Sequence, residues 1–244
     1  MDKHCDSQYD STFSTLKETT KLAWYPWVGR DYASSPSRIL VIGESHYVTT
    51  RDDKPDILEN IKEWENDPQC TRICVWESNI EYGWYNRTWS NLMHFLVGEN
   101  VIVDKTALWE HISYYNFVQR PMNYGGTNRE QPTNDDFTQG WKSFIPVVET
   151  LNPDFCIFIG VRAANFFNSM MDSLGIEHRN IEGLPKVNKT YPRRSSVTIN
   201  GKTIPMLFIQ HCGSYFTCSL WHKLLLQEMP DAVKIMKECR KTDE

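Results

Sequence analysis

Absences narrow this chain before any motif does. No apolar run approaches the length of a membrane-spanning helix, and the opening MDKHCDSQYDSTFS lacks the apolar core of a secretory signal. A cytoplasmic protein with no membrane partner is the expectation. Positive charge is not in excess either. With 26 Lys and Arg against 31 Asp and Glu, a net charge of -5, the molecule as a whole cannot coat nucleic acid, and any polyanion must meet a local patch. The seven cysteines are odd in number and irregularly spaced, and neither close pair, Cys70 with Cys74 or Cys212 with Cys218, makes a CxxC. Reduced, buried thiols fit that pattern better than a disulfide framework. What is present in quantity is apolar and aromatic, 40% and 13% of 244 residues, ample for a packed α/β domain.

The chain is organised around RILVIGESHY, residues 38–47. Four apolar residues in a row run into Gly43 and then into small polar and ionisable side chains. A strand covered on both faces shows no alternation, and in parallel sheets ligands collect beyond the carboxyl ends of such strands. Gly43, Glu44, Ser45, His46 and Tyr47 are therefore the first candidate site. Ahead of it, residues 1–20 read as a polar lead-in with a short helix beginning near Phe13, and residues 21–244 as a single domain. WYPWVGRDY, residues 24–32, is too broken by proline and glycine for a long element and reads as aromatic packing over a sheet edge.

Apolar spacings of three and four predict amphipathic helices over residues 52–64 and 87–97. Between them EYGWYNRTW, residues 81–89, reads equally as a stacking platform for a planar ligand or as ordinary core. HISYYNFV, residues 111–118, is the second strand, and Asn116 is its conspicuous residue. A buried amide left alone costs on the order of 1–3 kcal/mol, so Asn116 either caps the next turn or reads a ligand. A helix over residues 135–151, capped by Thr133-Asn134-Asp135, leads to a third buried strand at 154–160 and a helix at 161–171. Residues 183–227 contain no Asp or Glu but carry Lys186, Lys189, Arg193, Arg194, Lys202 and Lys223, a basic patch suited to a polyanion. Within it, Asn200-Gly201 marks a hairpin over residues 196–203, and residues 204–210 form the last core strand, ending at His211.

This alternation predicts a three-layer α/β/α sandwich with a mostly parallel central sheet of about four strands. Their carboxyl ends bring Glu44, Asn116, Gly160 and His211 to one cleft. A carboxylate, an amide reader, aromatics, a histidine and a basic rim are what hydrolysis of an N-glycosidic bond in a nucleic acid requires.

Four segments in this order, GESHY, YYNFVQRP with NREQPTNDDF, PDFCIFIGVRAA and IQHCGSYF, resemble the motifs of the uracil-DNA glycosylase superfamily across about residues 39–221. The pattern is nearest to the GEAPG-type branch. The resemblance implies a glycosylase that flips uracil or a related damaged base out of DNA. It makes Glu44, beside Gly43, the group that activates the attacking water. Asn116 reads the uracil edge, Tyr85 stacks on the flipped base, and His211, with Ser214 in the same motif, stabilises the uracil oxygen as charge builds. Tyr215 or Phe216 wedges into the duplex. Two departures stand out: His46 replaces the usual proline of the first motif, and His211-Cys212-Gly213-Ser214 lacks the proline of the last. The four iron–sulfur cysteines of the GEAPG-type branch are absent, so no cluster, metal or other cofactor is expected. The alternative is a catalytically silent member that binds nucleic acid, a nucleotide or a partner protein through the same cleft. An esterase-like use of Ser45, His46 and Glu44 is a third reading, with no downstream triad to complete it.

Overall fold

The computed structural model describes residues 1–49, 63, 66–83, 86–124, 130–237 and 239–240. The apolar run at the head of the first motif forms strand β2 (Ile39–Gly43), buried at every residue because it has a neighbour on each side and helices over each face. Its neighbours are β4 (Ser113–Asn116) and β6 (Phe155–Ile159), and β9 (Lys202–Ile209) lies beyond β6; all four run parallel. Register fixes what lies at their carboxyl ends. Gly43 sits opposite Asn116, Ile42 opposite Phe158, and Ile159 opposite Ile209, so one row of the sheet reads Asn116, Gly43, Ile159, Ile209.

The sheet is larger and more mixed than the expected four mostly parallel strands. It has seven, adding β1 (Trp27–Val28) beyond β4, and β8 (Arg193–Ile199) and β7 (His178–Gly183) beyond β9, each antiparallel to its neighbour. The extra strands escape a reading by pattern for physical reasons. β1 is only two residues long, and β7 is an edge strand with mostly exposed side chains and no apolar face. The 196–203 hairpin is real, with Asn200 and Gly201 both at positive φ, but its second strand is the core strand β9 itself. A second, two-stranded parallel sheet follows the strand ends, pairing β3 (His46–Thr49) with β5 (Pro121–Tyr124). It splays the chain after β2 and β4 apart from the main sheet.

Alternate residues of the central strands feed two separate cores. Val41, Ile157, Ile159, Leu207 and Ile209 pack on one face, while Leu40, Ile42, Phe158, Met206 and Phe208 pack on the other. The first core is covered by α3 (Arg87–Val97), α4 (Lys105–His111) and α7 (Cys218–Glu228). The second is covered by α5 (Asn134–Leu151) and α6 (Phe167–Leu174), with α1 (Asp10–Thr20) inserting the fully buried Phe13. The polar lead-in is thereby packed into the body, and Asp10 of α1 pairs with Arg72 of α2 (Cys70–Trp76) at 2.6 Å. Truncating Trp141, which lies at the centre of the second core, would cost about 3–5 kcal/mol.

Caps set the helix starts. Asn86 accepts from the amides of Thr88 and Trp89 to open α3, and Thr133 with Asp136 forms a capping box on α5. His111, read as the first residue of a strand, instead ends α4, its Nδ1 bonded to Ala107 O at 2.7 Å. The helix expected over residues 161–171 begins at Phe167, after a 3₁₀ turn at Ala163–Asn165. Of the helix expected over residues 52–64 only Glu63 is described, and the loop at residues 125–129 lies outside the described residues. Among the described residues no helix is long and apolar enough to cross a membrane.

Candidate active site

Beyond the carboxyl ends of the parallel strands lies a cavity of about 310 Å³ whose walls include Gly43, Glu44, Ser45, His46, Tyr47, Asn116 and His211. Three segments far apart in sequence meet here because the sheet register aligns their strand ends. Gly43 is required by closeness rather than by φ. A Cβ there would overlap Asn116 Oδ1 and Tyr114 Oη, so only glycine lets β2 lie this near the amide.

Asn116 is almost fully buried, and the desolvation cost anticipated for it is met on one side only. Its Oδ1 accepts from the Tyr114 hydroxyl at 3.0 Å, and its backbone carbonyl accepts from Gln119 Nε2. Its Nδ2 has no partner among the described residues, and the side chain lines the cavity. Burial pushes the Tyr114 hydroxyl well up, so it stays protonated and donates.

Glu44 enters from the β2 end. The ladder continues past the strand here, with Phe117 and Val118 amides donating to the Gly43 and Glu44 carbonyls. The carboxylate lies over Gly160, where a Cβ would come within 3.2 Å of Oε2, and its Oε1 is 4.0 Å from Arg162 Nη1. Arg162 is held in place by Gln131 Oε1, the Pro132 carbonyl and the Phe137 ring, 5.0 Å below the guanidinium. Gly160 thus admits a carboxylate to the β6 end, and no phosphate cradle is needed to explain it.

His46 is buried edge-on against Trp24 with ring centroids 4.9 Å apart, and its Nε2 lies 3.1 Å from Thr71 Oγ1. Burial lowers its pKa to about 4, so the ring is neutral near pH 7. Beside it, the buried Ser45 hydroxyl has no hydrogen-bond partner among the described residues. Tyr47 donates to the Glu130 carbonyl at 3.1 Å.

His211 stands exposed on the far wall. Its Nδ1 lies 3.1 Å from the Gly213 amide. An amide N–H can only donate, so Nδ1 is the acceptor and the ring proton sits on Nε2, making that nitrogen a donor. The loop is tied to α3 through Asn91 Nδ2, which donates to the Cys212 and Gly213 carbonyls at 2.7 and 3.0 Å. The Cys212 thiol is fully buried, and burial pushes it well up. Ser214, expected beside the base, instead accepts from Arg87 Nη1 at 3.4 Å and does not line the cavity. Tyr85 lies outside the described residues.

The expected DNA-facing residues divide. Tyr215 projects from the His211 loop, 87% exposed and at φ 61°, with Lys189 Nζ 5.8 Å from its ring centroid. Lys186 lies 5.5 Å from the exposed Tyr191 ring. Phe216 points the other way, buried and stacked on Trp221 at 5.6 Å, so it serves the core. Arg194 is bound by two carboxylates just outside the acid-free segment, Glu182 and Glu228, both at 2.8 Å. Arg193 is bonded to Asn165 Oδ1.

Several residues in the cavity wall or beside it lay hidden in the sequence. Tyr114 reads as one more aromatic of an apolar strand, and Arg162 as the start of a helix. Ser78 reaches the cavity from a π-helical turn, Glu77–Glu81, and no pattern signals such a turn. Trp89, in the first turn of α3, lines the cavity and also packs edge-on against Trp109 and Tyr114 at 5.2 and 5.0 Å, so this one ring serves both core and wall. Among the described residues no three His, Cys, Asp or Glu side chains cluster to hold a metal ion. Set against known proteins, the chain matches no family model and no curated sequence.

Proposed function

We propose that this chain is a uracil-DNA glycosylase-like hydrolase, a three-layer α/β/α protein that flips uracil or a related damaged base from DNA and cleaves its N-glycosidic bond. The observation that carries the reading is the convergence, in one cavity, of a carboxylate from the β2 end, an amide from β4 and an Nε2–H imidazole after β9. The parallel strand order, with β2 between β4 and β6, puts that cavity where connections leave the sheet in opposite directions.

In this reading Asn116 Nδ2 donates to a carbonyl oxygen of the flipped base. Glu44 orients a water and takes up its proton as the oxygen attacks the anomeric carbon. The glycosidic bond breaks with its electron pair passing to the base nitrogen and on to the adjacent carbonyl oxygen, where His211 Nε2–H donates to the growing charge. Proton uptake then releases the neutral base. Tyr215, lifted from the surface beside Lys189, fills the gap left in the duplex, and unstacking costs a few kcal/mol that such a wedge offsets.

The test is strand scission by alkali after incubation with end-labelled single- and double-stranded oligonucleotides carrying one uracil. Scission at the uracil that is lost in Glu44→Gln is the expected result. Intact strands, with binding retained and salt-dependent, would replace this reading with that of a silent nucleic-acid binder.

A further inference from the structure

We propose that Tyr114 is a specificity-determining positioning residue: its hydroxyl fixes the Asn116 amide with Nδ2 toward the cavity, so that the site selects a base edge bearing a keto oxygen over one bearing an amino group. This rests on the reading of the cavity as a base pocket.

The Tyr114 hydroxyl has one proton, is buried, and finds one acceptor among the described residues, Asn116 Oδ1 at 3.0 Å. Turning the amide over would face Nδ2 toward the hydroxyl and leave that proton with no acceptor. A buried donor without a partner disfavours the turned form by on the order of tenfold or more. The tyrosine cannot move to escape this. Its ring is clamped edge-on by Trp89 at 5.0 Å and Trp109 at 6.0 Å, and Gly43 lies against both the hydroxyl and Oδ1, where any side chain would part them. An asparagine alone can present either face of its amide; one held by a donor presents its own donors. With His211 Nε2–H across the cavity, Asn116 and His211 both bring donors to the walls, which suits carbonyl oxygens and opposes an exocyclic amine at those two positions.

Tyr114→Phe removes the hydroxyl and keeps the ring between the two tryptophans. The experiment compares wild type and variant for excision of uracil and of unpaired cytosine from the same single-stranded oligonucleotide, and for binding of free uracil and free cytosine by calorimetry. The expected result is a wild type that prefers uracil in both assays and a variant whose uracil-to-cytosine ratio falls by about tenfold in both. A purely structural tyrosine would lower both bases in parallel and leave the ratio unchanged, and that outcome overturns the inference while leaving the glycosylase reading intact. A wild type that discriminates free bases, loses that discrimination in Tyr114→Phe and yet excises nothing overturns the glycosylase reading alone. A wild type that binds and excises neither base overturns both.

Discussion

The carboxyl ends of the parallel strands and the acid-free segment at residues 183–227 are both patches that sequence marks out by composition, yet they behave differently once folded. At the strand ends, Gly43, Glu44, Asn116 and His211 share a cavity, because β-sheet register is rigid and one aligned row commits its neighbours. In the basic segment, local composition is no guide to local field. Arg194 is claimed by Glu182 and Glu228, which flank the segment in sequence, and Lys202 is paired with Asp154 at 2.6 Å. What stays near the surface beside Tyr191 and Tyr215 is Lys186 and Lys189. A strand end can therefore be read from order along the chain, whereas a charge patch depends on partners that only the fold supplies.

The comparison is tested most severely at the strand ends. Glu44→Gln should lower single-turnover excision by about 10²–10⁴-fold while the melting temperature moves little, since the carboxylate is half-buried at a cavity wall and packs against a glycine. A variant that excises at the wild-type rate would remove Glu44 from the chemistry. His211→Ala should cost about 10²–10³-fold in the same assay, the usual loss on deleting one donor to a developing anion. Because Asn91 holds the loop as well as the ring, binding to DNA should fall much less than the rate, and equal losses in both would argue that the ring only orders the loop.

His46 contributes to the same wall through stability. Its folded-state pKa of about 4 lies below the ordinary 6.5, so the unfolded chain takes up a proton that the folded chain refuses. Stability attributable to this ring is intact above pH 6.5 and is lost as pH falls toward 4, by about 2 kcal/mol between pH 7 and pH 5. Denaturant titrations across that range should show a shallower pH slope in His46→Gln than in wild type. Identical slopes would mean the ring is protonated in the folded state as well.

The smallest effects separate the cations of the basic segment. The double variant Lys186→Ala, Lys189→Ala should weaken DNA binding severalfold and reduce the slope of log affinity against log salt by about two. Arg194→Ala should leave that slope unchanged and lower thermal stability instead, because its charge is spent on two carboxylates. A salt slope that responds to Arg194 and not to the lysines would invert the assignment.

The legible part of this molecule was its order of buried strands. The runs at residues 39–42 and 155–159 have no alternation because both faces are covered, and each ends at a polar or small residue on the same edge of the sheet. Less legible were features with no periodic signature. A two-residue strand such as Trp27–Val28 carries no period, and the polar edge strand at His178–Gly183 hides its role. Residues 1–20 look like a tail by composition, yet one phenylalanine anchors them in the core. At the site, Asn116 announced itself as an amide in an apolar strand, but Tyr114 did not. Its importance lies in a hydroxyl directed at a neighbour two residues along, on the same face of the strand, and an aromatic at that spacing is indistinguishable from packing until the pair is seen.

What matters most is whether the cavity breaks the bond between a base and its sugar. Mass spectrometry of the free bases released from a uracil-containing oligonucleotide measures this directly, without reliance on a later cleavage step. Free uracil in amounts stoichiometric with the abasic strand, absent with Glu44→Gln, is the predicted result. An oligonucleotide recovered with its uracil in place, at protein concentrations that saturate binding, would contradict the claim.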